Sequence, residues 1–176
     1  GAQLLSLVPG LRIVSIRGNV DTRIRKLREG EDYDAILLAA AGLGRMGLLG
    51  EASDIIPADV MIPAPGQGII AVECRKGDAE TREIISRIND AGTWTAGAAE
   101  RAFLKRLGGD CNLPAGCHAS LEGERMKVTG ILASPDGSTV IRERAEGAAV
   151  DAESLGSGLA ELILSRGGDR LTAGHG

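Results

Sequence analysis

Apolar and polar positions alternate first over residues 11–16, where Leu11, Ile13, Val14 and Ile16 supply bulky or β-branched side chains, and the pattern predicts a strand. Gly18-Asn19 interrupts it. From residue 20 the period becomes that of a helix running to residue 29, with Asn19 or Asp21 as its cap and Gly30 as its stop. Residues 34–40 form an apolar run of strand length that ends before Gly42. Strand, helix and strand within about thirty residues predict a βαβ unit, hence two parallel strands joined by a right-handed crossover. Gly1-Ala2-Gln3 carries no pattern. Residues 44–50 read as a glycine-broken loop or short helix, and 54–57 as a turn. A further strand is predicted over 60–62, running into Pro63-Ala64-Pro65-Gly66-Gln67-Gly68 and resuming over 69–73. Proline and glycine alternating inside a strand mark a segment that crosses between domains.

A helix is predicted over 79–89, its apolar face made by Ile84, Ile85 and Ile88, and a second over 93–107, with Ala99, Ala102, Phe103 and Leu107 at helical spacing. The domain boundary falls between residues 89 and 93. Three strands follow, at 118–121, 127–133 and 139–146, and Ser134-Pro135-Asp136-Gly137-Ser138 is a strong turn signal between the last two. A helix over 152–166 ends at Gly167-Gly168. The expected fold class is α/β plus α+β: part of a parallel-sheet domain, then a small domain in which helices cover one face of a three-stranded antiparallel sheet.

Composition narrows the function classes. The chain has 176 residues, 43% of them hydrophobic, but only one Trp, one Tyr and one Phe, so its cores are aliphatic. With a net charge of −4 and no aromatic platforms for stacking bases, neither nucleic acid nor an anionic membrane is an expected partner. The longest apolar run, residues 35–43, is shorter than the roughly 18–20 residues of a membrane span, and no basic-then-apolar signal peptide opens the sequence. Three widely spaced cysteines argue against a disulfide framework and for a reducing compartment, by default the cytoplasm.

Candidate chemistry gathers at two places. In the loop over residues 107–118, Gly108-Gly109 close a helix, Pro114 and Gly116 keep the chain irregular, and Cys111 is placed at an accessible turn. Such a thiol suits a nucleophile, a metal ligand or the anchor of a covalent cofactor. Cys74, by contrast, reads as a small buried hydrophobe. Cys111, Cys117 and His118 also admit a zinc reading, although the cysteine spacing is wider than usual and no fourth ligand is evident beyond Asp110 or His175. His118 itself reads as structural. The second place follows from the βαβ unit: loops after parallel strands open on one edge, so Arg17, Arg23 and Arg45 face one crevice beside a helix amino end, a site for carboxylates or phosphates. The same arginines also read as ordinary surface residues, and Gln67 as a turn residue or as an amide held close to a ligand.

Gly109-Asp110-Cys111-Asn112-Leu113-Pro114-Ala115-Gly116 resembles the cofactor-attachment loop of the porphobilinogen deaminase (hydroxymethylbilane synthase) family, which normally reads Gly-Gly-Cys-Gln-Val-Pro-Ile-Gly; Asp110 and Asn112 depart from it. Arg17-Gly18-Asn19-Val20-Asp21-Thr22-Arg23, Ala41-Gly42-Leu43-Gly44-Arg45-Met46-Gly47, and Pro65-Gly66-Gln67-Gly68 with Glu73-Cys74-Arg75 resemble the family in its order. The resemblance implies that residues 1–62 belong to a second, periplasmic-binding-protein-like parallel-sheet domain, 63–90 to the hinge and the return segment of a first domain, and 91–176 to a carboxyl-terminal α+β domain carrying the cofactor cysteine. It implies a transferase of tetrapyrrole (haem, chlorophyll, corrin) biosynthesis that condenses four porphobilinogen molecules head to tail into hydroxymethylbilane, releasing ammonia, on a dipyrromethane joined to Cys111 through a thioether. Arg17, Arg23 and Arg45 would then hold acetate and propionate groups, Asn19 and Gln67 would line the site, and no metal is involved. The catalytic aspartate of that family belongs to an amino-terminal half whose motifs do not occur before Leu11. The resemblance therefore implies a carboxyl-terminal portion that is inactive by itself and need not carry the cofactor. Residues 60–73 would lack strand partners and invite self-association, whereas the full-length parent would be a monomer. A non-catalytic anion-binding module and a Cys/His zinc domain are the alternative readings.

Overall fold

The computed structural model describes residues 1–30, 32–108 and 113–172. Along the chain lie α1 (Ala2–Leu7), α2 (Val20–Glu29), α3 (Ala40–Arg45), a 3-10 turn over Leu49–Glu51, α4 (Ala79–Ser86), α5 (Ala91–Leu107), β1 (Ala115–Glu122), β2 (Arg125–Ala133), β3 (Val140–Ala148), α6 (Ala152–Ile163) and α7 (Asp169–Thr172). Among the described residues no helix is long and apolar enough to cross a membrane.

Residues 91–172 hold most of the core. Asp90 starts α5 by accepting the Thr93 N–H at 2.7 Å, and that bond holds its carboxyl below the usual carboxylate range. Alanines propagate the helix until Gly108, in the left-handed region, returns its N–H to the carbonyls of Leu104 and Lys105. The three strands pair antiparallel in the order β1-β2-β3, with Cys117 opposite Gly130. Alternation then turns Cys117, Ala119, Met126, Val128 and Leu132 to one face, where they are buried with Phe103 and Leu107 of α5 and Leu159, Ala160 and Ile163 of α6. As predicted, helices cover one face of an antiparallel sheet. The turn between β2 and β3 is the predicted one: the Asp136 carboxylate accepts from the Ser134 hydroxyl at 2.5 Å and from the Ser138 hydroxyl at 2.8 Å, which draws its pKa down to about 2.

The other face of the sheet is partly covered from the amino-terminal side. Ile131 and Ala133 are buried there, as is Ile62. The Gln3 amide donates to the Ile62 carbonyl at 2.7 Å and accepts the Ile62 N–H at 2.9 Å, so residues without any sequence pattern start a helix and clamp a distant segment. Arg142 of β3 donates to the Asp59 carbonyl.

Several expectations for residues 1–90 are corrected. Helix α2 and its Asn19 cap are as predicted, but residues 11–16 and 34–39 are extended without sheet pairing, and residue 40 already belongs to α3; no parallel pair forms among the described residues. Residues 60–62 are not a strand either, since the N–H groups of Val60 and Met61 both return to the Pro57 carbonyl in a turn, and 69–73 remain unpaired. Strands this short persist only when a neighbour accepts their ladder bonds and one face is buried. Neither condition is met: Leu37 is 48% exposed and Ile70 66%. Helix α4 stops three residues early because residues 87–89 tighten into i→i+3 bonds, and its apolar face is uncovered, with Ile88 72% exposed. Cys74 is half-buried rather than a core residue. Helix α6 ends at Ile163, and the chain opens into a wide turn that breaks at Gly167.

Helices α5 and α6 approach each other closely in the core, where a Cβ built on Gly156 would stand 2.0 Å from the Ala99 carbonyl oxygen. On the same helix, Gly158 has nothing within 4 Å. Gly156→Ala is therefore expected to cost about 3 kcal/mol through overpacking against backbone. Gly158→Ala should instead add about 0.5–1 kcal/mol by restricting the unfolded chain. Opposite shifts of the urea midpoint would check the pair. Cys117 is fully buried, and burial, reinforced by the nearby Glu100 carboxylate, pushes its thiol far above the ordinary range. Since the thiolate is the reactive form, Cys117 should resist iodoacetamide at neutral pH in the folded chain and react once the chain is unfolded, as peptide mapping would read.

Candidate functional site

Two features of the local sequence position the arginines. At the amino end of α2, the Asn19 side chain accepts the Thr22 N–H at 2.9 Å, while Arg23 and Lys26 fold back to donate to the carbonyls of Gly18 at 2.7 Å and Arg17 at 3.1 Å. The loop over residues 17–19 is thus held by two cations of the helix it precedes, and Arg17 is exposed beside them. At the end of α3, Arg45 donates to the Gly68 carbonyl at 2.5 Å. Gln67 closes the same turn: its side-chain oxygen accepts the Ala64 N–H at 3.1 Å, and its own N–H returns to the Ala64 carbonyl at 2.9 Å.

The structure therefore brings Arg17, Asn19 and Arg23 together, and brings Arg45 to Gln67. Among the described residues no hydrogen bond or ion pair joins the two groups. The parallel sheet expected to aim them into one crevice is replaced by loops. A groove of about 240 Å³ does run between α2 and the Leu49–Glu51 turn, but Arg25 and Arg28 there are outnumbered by Asp21, Glu29 and Glu51, so its charge does not favour anions.

Cys111 lies outside the described residues, as do Gly109, Asp110, Asn112 and His175. Its loop is bounded by Gly108, which caps α5, and by Leu113, which is buried against the core just before β1. The zinc reading is not supported by its second cysteine, because Cys117 points into an aliphatic core with a thiol that burial keeps protonated. Among the described residues no three His, Cys, Asp or Glu side chains gather in a way that could hold a metal ion.

A buried side chain that links the two parts of the chain is Glu100, which sequence reasoning missed. It is only 6% exposed, the one buried charged side chain among the described residues. One carboxylate oxygen accepts the Ala119 N–H of β1 at 2.9 Å, and the other accepts the Gly66 N–H at 2.6 Å. The His118 Nδ1 lies 3.9 Å from the first oxygen, with the ring partly in solvent. Alongside, the Cys117 N–H donates to the Pro63 carbonyl at 2.9 Å, and a Cβ on Gly116 would meet the Ile62 carbonyl oxygen at 2.7 Å, so Gly116 is required where the 62–63 backbone crosses β1. A signal existed in the sequence: Glu100 precedes Phe103 by three residues and Leu107 by seven, which puts a charge on the apolar stripe of α5.

Comparison with known proteins bears on what this arrangement serves. The family model described as porphobilinogen deaminase, dipyromethane cofactor binding domain, matches residues 1–83, and that described as porphobilinogen deaminase, C-terminal domain, matches residues 94–165. Cys111 falls within the second span. The porphobilinogen deaminase of Roseiflexus sp. (strain RS-1) is 49% identical over 172 residues, covering 98% of this chain and 56% of the relative. That of Syntrophotalea carbinolica is 46% identical over 172 residues, covering 98% of this chain and 54% of the relative. For Geobacillus kaustophilus the identity is 47% over 171 residues, with coverage of 97% and 54%. The chain spans about half the length of the curated relatives it matches. Two successive models of one family, matched in order, and identity of this level along nearly its whole length place the chain in the porphobilinogen deaminase family.

Proposed function

We propose that the chain serves the condensation of four porphobilinogen molecules into hydroxymethylbilane, with a dipyrromethane held by a thioether from Cys111. In each condensation the aminomethyl carbon–nitrogen bond breaks, a carbon–carbon bond forms at the free position of the next pyrrole, and ammonia and the pyrrole proton leave. The observation that carries the reading is the family match on both sides of the Cys111 loop, at 49% identity to a porphobilinogen deaminase. The dipyrromethane would supply the pyrrole end that accepts the first unit.

The residues on this chain suit a carboxylate-rich ligand. Arg23 and Arg45 each use one N–H on a backbone carbonyl, which orients the guanidinium and leaves further donors for acetate and propionate groups. Arg17 is exposed beside Arg23, and the amide N–H groups of Asn19 and Gln67 are not used by the cap or the turn that their oxygens complete. The set contains cations and amide donors and no carboxylate. On the same reading, residues 1–62 belong to a periplasmic-binding-protein-like parallel-sheet domain, 63–90 to a hinge and return segment, and 91–176 to the cofactor-bearing domain. The exposed Leu11, Ile13 and Val14 of the alternating segment 11–16 and the exposed Leu37 of the apolar run 34–39 support it, because such segments are strands in want of partners. The protein works in the cytoplasm, a monomer at full length, without nucleic acid or membrane, and this chain alone does not turn over porphobilinogen and self-associates through its unpaired segments.

Intact-mass spectrometry under denaturing conditions, on a polypeptide of the relatives' full length carrying this sequence, is expected to find an adduct of two linked pyrrole units, lost in Cys111→Ala. A bare sulfur with activity undiminished by Cys111→Ala would refute the assignment and favour a non-catalytic anion-binding module. In the same polypeptide, Arg45→Ala removes a charge-assisted pair of about 1.5–3 kcal/mol, so KM for porphobilinogen should rise about tenfold or more.

A further inference from the structure

We infer that Glu100 is a positioning residue of this reaction, holding the Gly66–Gly68 turn in register with the strand that follows the Cys111 loop; the inference rests on the function proposed above. The two groups it binds lie far apart in sequence. Gly66 immediately precedes Gln67, the amide proposed to line the site, and Gly68, whose carbonyl orients Arg45. Ala119 lies in β1, the first regular element after Cys111. A single carboxylate that is 6% exposed accepts from both, and its own helix, α5, is the element that leads into the Cys111 loop. Glu100 thereby fixes three things against one another: the turn bearing Gln67, the helix before the cysteine and the strand after it.

Glutamate is specified by the donor count. Two backbone N–H groups approach opposite oxygens of one carboxyl group at 2.6 and 2.9 Å, and only a side chain with two acceptors satisfies both. Glutamine presents one acceptor and turns an NH2 group against the other donor. Aspartate is a methylene shorter and cannot span them from the same backbone position.

The test uses a polypeptide of the relatives' full length carrying this sequence, with turnover counted per Cys111 adduct measured by intact mass. Glu100→Gln should keep the adduct and an unfolding midpoint within a few degrees of the parent, while kcat/KM for porphobilinogen falls about tenfold. Gln67→Glu keeps the acceptor that closes the turn and removes the amide donor, and should lose a similar factor. Because Glu100 acts through that turn, the double variant should lose about tenfold in total and not a hundredfold, since changes along one path do not add. A Glu100→Gln enzyme with parental turnover per adduct, or losses that multiply in the double variant, would overturn the inference while leaving the cofactor assignment in place. A parent without an adduct on Cys111 would overturn both. If Glu100→Gln does not fold, hydrogen exchange in the unsubstituted polypeptide decides: the Gly66 amide should exchange about a hundredfold more slowly than in an unstructured peptide, and fast exchange removes the clamp on which the inference stands.

Discussion

The outer edge of β1 sets the terms for the rest of the molecule. In a sheet ordered β1-β2-β3, alternate N–H groups of β1 face away from β2, and a buried donor without an acceptor is expensive. Cys117 and Ala119 carry two of them. One is satisfied by the Pro63 carbonyl and the other by the Glu100 side chain, so the edge is closed by a backbone crossing and a buried glutamate rather than by a fourth strand. Closing it this way ties residues 62–66 to the carboxyl-terminal sheet, and with them the turn that carries Gln67 and receives Arg45.

The two parts of the chain are held by different physics. Residues 91–172 bury Phe103, Met126, Val128, Leu132, Leu159 and Ile163 completely or nearly so, in a single aliphatic core between one sheet face and two helices. Among the described residues before residue 90, only Ala2, Leu43 and Ile62 are buried hydrophobics. There the chain relies on polar clamps instead: Gln3 on Ile62, Arg45 on Gly68, Gln67 on Ala64. Hydrogen bonds of this kind contribute modestly to stability, about 1 kcal/mol each, but they fix direction, which is what a carboxylate-binding surface needs. The core supplies the rigid frame, and the polar turn carries the donors.

That division explains which side chains are chemically quiet. Cys117 shares the cysteine-rich stretch with Cys111, yet strand alternation turns it inward, where burial and the Glu100 carboxylate keep it protonated. His118 points to the opposite face and stays partly in solvent. Two adjacent residues that look alike as metal ligands on paper are separated by the pleat of β1.

Much of this was legible in the residues alone. Helix α2 with its Asn19 cap, the extent of α5 to within two residues, the Ser134–Ser138 turn and the helix-covered antiparallel sheet all follow from local rules of capping, turn chemistry and periodicity, which act within a few residues. Family membership was legible for the same reason, since its motifs are short and contiguous. What the residues alone did not decide is whether an alternating segment finds a partner. Residues 11–16 and 34–40 have strand patterns and no ladder, because pairing is a property of two segments and burial a property of the whole packing. The role of Glu100 was legible only in part: its place on the apolar stripe of α5 marks a charge turned toward the core, but not the donors it meets there. Only the approach of Gly66 and Ala119, from opposite ends of the folded chain, makes it a buried double acceptor.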